Sequence, residues 1–265
     1  MLDAFRVLWS TVKSIWEDML MLVLMNGLTF LAALPAGLIA YFIITFGLEV
    51  TTPENARPTL VLTVAALVAM AVPTFIPFAG CWAGLYAVCN RIVNGFAISW
   101  EFFFAAFKQN IWKWWRYLLL SFAVLLLLVL NFLWYPLQFP DAVWVSWVQG
   151  AWLAALLFWV AIQFYVFPFY VEQETKSWKV ALRNGALVAG ANPIFTLILL
   201  VVAFALLALS LVVVPPLFVI LGWLFWVMTG SEAVVDRIKA YRDRLEAEER
   251  KKNPGSAASR PRNKP

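Results

Sequence analysis

The sequence predicts an all-α membrane protein: six transmembrane helices as three hairpins, each preceded by an amphipathic interfacial helix, plus a cytoplasmic C-terminal helix. Three observations predict it. Long stretches carry no charge, Lys and Arg collect between alternate stretches, and an amphipathic segment precedes every second one. Composition agrees, since 63% of the residues are hydrophobic and 13% charged, about half the charged share of a soluble globule. A water-soluble fold is excluded.

Taken in order, the first element is a helix in which Leu2, Phe5, Trp9, Val12 and Trp16 recur at helical spacing, with Asp3, Arg6, Ser10, Lys13 and Glu17 on the other face. That pattern suits a helix lying in the membrane interface. Asp3, Glu17 and Asp18 interrupt it, so it reads as a structured start and not as a cleaved signal peptide. Four charge-free runs follow, 19–48, 58–90, 117–140 and 142–171. Each is long enough to cross a hydrocarbon layer of about 30 Å, which takes about 20 helical residues. The run 184–231 is about twice that length and is cut by Val214-Pro215-Pro216, which a straight helix cannot contain. It is expected to cross twice, although residues 215–229 make only about 22 Å of helix.

The interfacial unit returns before the third span, where residues 100–115 carry Phe103, Phe104, Phe107, Ile111 and Trp114 among Glu101, Lys108, Gln109, Asn110 and Lys113. It returns again before the fifth, where residues 176–192 place Trp178, Val180, Ala181 and Leu182 beside Lys176, Lys179, Arg183 and Asn184. Ser14-Ile15-Trp16 against Asn110-Ile111-Trp112 is the trace of this repeat. The chain divides into a transmembrane domain, 1–230, a charged cytoplasmic helix, 231–252, and a basic tail, 253–265, whose composition reads as disordered. Thr229-Gly230-Ser231-Glu232 has the spacing of a capping box for that helix. Val234, Ile238, Tyr241 and Leu245 form its apolar stripe, a candidate partner-docking face.

Basic residues are retained on the cytoplasmic side of membranes. With six spans, every Lys and Arg except Arg57 falls on one side together with both termini. The chain is expected in a bacterial plasma membrane. Half of the 20 basic residues follow Thr229, where six acids accompany them. The charge therefore reflects topology, and no nucleic-acid partner is expected.

The sequence has no histidine and two cysteines, Cys81 and Cys89, eight positions apart on a presumed helix. Helix geometry forbids a bridge at that spacing. No metal, cofactor or catalytic constellation is expected, and no Asp, Glu, Lys or Arg lies deep within a span. Only loop acids such as Asp18, Glu101 and Glu172 remain for enzymology, so the chain is read as a non-enzyme.

Two other sets of residues stand out. Pro73 and Pro77 interrupt a run too long for one straight crossing, and with Gln163 in the fourth span they are candidates to line a polar cavity or to serve as packing kinks. Gly80, Gly84 and Ala87 make a small-residue face that lets a second helix approach closely. The 15 tryptophans are assigned to interfacial belts, with Trp112, Trp114 and Trp115 at the inner boundary and Trp134, Trp144 and Trp147 at the outer.

Pro77-Phe78-Ala79-Gly80, Gly84-Leu85-Tyr86-Ala87, Asn90-Arg91, Phe102-Phe103-Phe104 and Phe107-Lys108-Gln109-Asn110 resemble the YesL-like family of small bacterial integral membrane proteins. Ala181-Leu182-Arg183-Asn184-Gly185-Ala186 and Ala191-Asn192-Pro193-Ile194-Phe195-Thr196-Leu197 are similar to a later segment of that family. The chain departs from the pattern at Asn90, where a second basic residue is common, at the uncharged Asn94-Gly95-Phe96-Ala97, and in its long charged tail. The resemblance implies a companion of carbohydrate uptake systems and no catalytic residues.

The expected role is therefore that of an accessory or assembly partner of a membrane transport system. It would touch the lipid bilayer and either a second membrane protein or a copy of itself. The alternative is passive transport of a small neutral solute past Pro73, Pro77 and Gln163.

Overall fold

The computed structural model describes residues 2–52, 54–139, 141–213 and 222–252. Within them the chain is helical, with no strand. The helices are α1 (Leu2–Glu17), α2 (Met19–Glu49), α3 (Ala56–Ala66), α4 (Val72–Thr74), α5 (Ile76–Val93), α6 (Trp100–Gln138), α7 (Trp144–Glu172), α8 (Trp178–Ala191), α9 (Pro193–Val213) and α10 (Trp223–Lys252). Among the described residues α2, α5, α6 and α7 are long and apolar enough to cross a membrane, and α8 with α9 forms a fifth, bent candidate. The protein is an all-α membrane protein. The expected turn at Val214-Pro215-Pro216 and the tail 253–265 lie outside the described residues.

The second long run breaks where its prolines dictate. Pro73 has no N–H to donate and its ring displaces the carbonyl four residues back. The chain widens into a π turn, Leu67–Ala71, immediately before it. A second break falls at Phe75, and Pro77 then occupies the first turn of α5, where a missing donor costs nothing. The opened carbonyl of Val72 accepts from Phe75 N at 3.2 Å and from the indole Nε1 of Trp115 on α6 at 3.3 Å. A neighbouring helix thus satisfies what the kink exposes.

Helix α5 is the centre of the packed region and α6 lies tightly against it. A Cβ built on Gly80 would come within 2.6 Å of the Phe107 ring, and one on Gly84 within 2.9 Å of the Phe103 carbonyl oxygen. The small-residue face is therefore occupied by the chain's own α6, while Ala87 is half-buried.

Two expected boundaries are corrected. The segment 100–115 is not a separate interfacial helix but the first part of the 39-residue α6, because nothing between Trp100 and Gln138 compels a helix to stop before Pro136. The break at Asp18 separates α1 from α2. Asn192, held at φ −130° by the proline that follows, separates α8 from α9, which meet at 101°. Likewise Ser231 does not start a helix: α10 runs through it from Trp223, and Ser231 Oγ donates to the Val227 carbonyl one turn back. Gly230 is an interior residue whose missing Cβ admits α7, since a Cβ there would lie 2.8 Å from Phe164 O.

The two kinds of glycine should respond oppositely to a side chain. Gly84→Leu should destabilise the protein by about 1–3 kcal/mol, since it forces the α6 backbone away. Nothing lies within 4 Å of a Cβ on Gly27, so Gly27→Ala should be neutral or stabilising by up to about 1 kcal/mol through helix propensity. Thermal melting in detergent reads both, and equal melting temperatures for G84L and wild type would refute the close approach.

Candidate functional site

Many of the polar and charged side chains lie at one end of the bundle, formed by α1, the end of α5, the start of α6, the end of α7, α8 and the middle of α10. Beneath them lies an aromatic core. Trp178, the first residue of α8, is stacked between Tyr117 of α6, with ring centroids 4.0 Å apart, and Tyr170 of α7, 3.7 Å apart. Trp114 and Phe167 stack at 5.1 Å beside them, and Tyr86 of α5 closes against both. Trp114 is thus fully buried, not a member of an interfacial belt. It follows Trp112 by two positions, which turns it to the opposite side of α6 from that exposed residue. Trp134, Trp144 and Trp147 are exposed near the far end of α6 and the start of α7.

At the rim, Glu172 accepts from the side-chain amides of Asn90 and Asn94, tying the end of α7 to the end of α5. Gly95, at φ 75°, makes the turn that follows α5, and a β-carbon would be strained there. Arg91 spans that turn, donating to Ala97 O and lying 3.7 Å over the Phe102 ring. Lys176 Nζ donates to Val171 O, and burial lowers its pKa from the ordinary value of 10.5.

The most organised polar contact joins α1 to α10. Ser10 and Ser14 both donate to Glu232 Oε1, at 3.0 and 2.9 Å. Arg6 pairs with Asp236 at 2.6 Å, and Arg237 pairs with Asp236 at 2.8 Å and Asp3 at 3.2 Å. Arg237 also lies 4.1 Å over the Phe195 ring of α9. Asp3, Arg6, Ser10 and Ser14 are spaced three and four apart, so they share one face of α1. The stripe turned into the protein is Ala4, Val7, Thr11 and Ile15; Ser10 and Ser14 flank it half-buried, while Asp3 and Arg6 reach α10 from a largely exposed position. Phe5, Trp9, Val12 and Trp16 are exposed instead. Lys13 and Glu17 are exposed among them, so the outer surface of α1 mixes aromatic and charged side chains.

The remaining singled-out residues separate. Pro73 and Pro77 are exposed at the kink. Gln163 Oε1 accepts from Tyr117 at 3.0 Å, while its Nε2 is enclosed without a partner among the described residues. None of the three lines any of the three cavities described. The cavity nearest the kink, about 330 Å³, is lined by Ala36, Leu67, Phe75, Trp82, Leu118 and Phe122 among others, an apolar set. The stripe on α10 also divides. Val234 is fully buried and Ile238 packs on the core, whereas Tyr241 and Leu245 are exposed. Cys81 and Cys89 are buried free thiols. Among the described residues no group of three or more Cys, Asp or Glu side chains could hold a metal ion.

Comparison of the chain with family profiles, with curated proteins and with solved structures found no match.

Two measurements probe this end of the protein. Trp178→Ala should cost about 3–5 kcal/mol, because it removes the ring that both tyrosines contact and leaves a cavity, and a melt of the variant against wild type measures the loss. For Glu232, burial raises the pKa above its ordinary 4.5, against the opposing pull of the two serine hydroxyls. The folded state then holds the proton more tightly than the unfolded state, so stability falls as pH rises from 4.5 through the folded pKa and is level above it. Glu232→Gln keeps the acceptor oxygen and should flatten that segment of a melting-temperature profile. An unchanged slope in E232Q would assign the titration elsewhere.

Proposed function

We propose that the chain is a six-span protein of a bacterial plasma membrane, with both termini cytoplasmic, that acts without catalysis as an accessory or assembly partner of another membrane protein. The distribution of basic residues supports that topology, with the charged end of the bundle facing the cytoplasm. The resemblance to YesL-like proteins points to a carbohydrate transport system as the partner.

The observation that carries the reading is the uneven packing of the long helices. In the most apolar stretches of α2 and α6 only 11% and 6% of residues are buried, against 61% in α5. A surface hollow of about 590 Å³ lies between α3 and α6, lined by Leu60, Val61, Val64, Ala65, Leu130, Asn131 and Trp134. It is apolar apart from Asn131, whose amide donates to the Leu127 carbonyl of its own helix. Packing drives helix association in lipid, so a concave, apolar, internally satisfied face suits the ridge of a partner helix.

A photo-crosslinking residue placed at Val61 or at Leu130 should yield the same discrete adduct with a second polypeptide in native membranes. A probe at Val143, exposed at the start of α7, should not. Adducts with lipid alone at both positions would overturn the accessory reading.

A further inference from the structure

We propose that the groove between α8 and α10 at the charged end is a binding site for the phosphate group of an anionic phospholipid. The groove holds about 590 Å³ and has three arginines in its lining, Arg183 from α8 and Arg237 and Arg244 from α10, with Asn184 and Asn192 beside them and no acidic residue. Arginines from two helices on one hollow favour an anion there, and the planar fork of arginine matches phosphate oxygens in pairs.

The three cations are not equivalent. Arg237 is held in place: its side chain is 15% exposed, it is paired with Asp236 and Asp3, and it rests over Phe195. Arg183 and Arg244 are exposed, and neither forms an ion pair among the described residues. Two uncompensated donors therefore stand on facing walls, beside one that is fixed and largely neutralised.

The rest of the lining distinguishes a lipid from a free ion. Along α8, Arg183, Leu187 and Ala191 follow at four-residue intervals, and Leu187 is 58% exposed. Val188, Ile238, Ala240 and Phe169 complete an apolar wall. A free phosphate gains nothing from that wall, whereas a phospholipid lays its glycerol and upper acyl carbons along it while its phosphate meets the arginines. Basic pockets between membrane helices recognise anionic headgroups in this way.

The test uses the full chain in a neutral detergent, with bound lipid counted by native mass spectrometry and stability read by melting. Phosphatidylglycerol should be retained and should raise the melting temperature, whereas phosphatidylcholine should do so weakly. R183Q/R244Q should weaken phosphatidylglycerol binding about ten-fold or more. The pair K239Q/R242Q removes the same charge from α10 outside the groove and should leave binding within about two-fold. Equal losses in the two pairs would reduce the effect to diffuse attraction and overturn the site. Inorganic phosphate giving the same protection as the lipid, abolished by R183Q/R244Q, would assign the arginines to a free anion and overturn the lipid. Failure of the crosslinks at Val61 and Leu130 bears on the accessory role alone, since those residues lie on other helices.

Discussion

The fold rests on helices that approach closely at glycine. At Gly80 and Gly84 it is α6 that occupies the space a side chain would fill, and at Gly230 it is the backbone of α7. Gly185 of α8 does the same, a Cβ there lying 3.2 Å from Ile162 O of α7. In lipid the apolar side chains of a helix gain no hydrophobic energy by leaving their surroundings, so association depends on contact area and shape. Glycine supplies that contact by letting a ridge of one helix settle on the backbone of the next. All of these contacts draw on α5, the first part of α6, α7, α8 and the first part of α10, and the aromatic core sits among the same helices. Trp178 stacks between Tyr117 and Tyr170 because α8 is already close enough to α7 to hold it there. The distal part of α6 has no such glycine contact and stands largely exposed; α2 has one at its end, Gly47 against Thr63 of α3, and is exposed along most of the rest.

This division explains which parts of the structure were legible in the sequence. Membrane class, the separation of α1 from α2, the kink between Pro73 and Pro77 and the bend before Pro193 follow from charge-free length and from the chemistry of proline and its preceding residue. All are local properties. The face carrying Gly80 and Gly84 was legible as a contact face but not as an internal one, because spacing says that a helix comes close and not which helix. Gly230 was misleading for the same reason. Beside Ser231 and Glu232 it resembles a helix start, and only the position of Phe164 reveals it as a packing residue. Trp114 shows the limit for aromatic residues. In a membrane protein lipid, headgroups and protein core all accept an indole ring, so hydrophobic pattern does not separate Trp114 from the exposed Trp112.

The seating of α1 against α10 has a different origin. In water an amphipathic helix directs its apolar face inward, and periodicity alone assigns the polar face to solvent. Here Ala4, Val7, Thr11 and Ile15 are buried as that rule expects, and polar residues beside them are used as well. Asp3, Arg6, Ser10 and Ser14 find complementary groups on α10, while Phe5, Trp9 and Trp16 stay exposed together with Lys13 and Glu17. Ion pairs on an open surface contribute little, about 0–1 kcal/mol each. Their value here is in register: Arg6 and Asp3 reach Asp236 and Arg237 only if α1 and α10 are aligned along their lengths. The serine pair on Glu232 sets the same alignment two turns further along α1. The chain's first helix and its last described helix are thereby held together, although more than 200 residues separate them in sequence.

Arg237 belongs to both this latch and the groove. Its guanidinium pairs with Asp3 on the α1 side and lines the hollow that holds Arg183 and Arg244 on the other. An anion in the groove and the Asp3 carboxylate therefore act on a single cation. If the anion draws Arg237 toward itself, the contact with Asp3 weakens; if it leaves Arg237 in place, Asp3 and Asp236 continue to neutralise that cation and most of the attraction falls to Arg183 and Arg244. Linkage makes the relation reciprocal, since any change that the anion makes in the α1–α10 contact is matched by an equal change that the contact makes in anion affinity. The ion pair over Phe195 joins α1, α9, α10 and the basic groove. Arg237 therefore gives groove occupancy a direct route to the first helix, through its bond to Asp3.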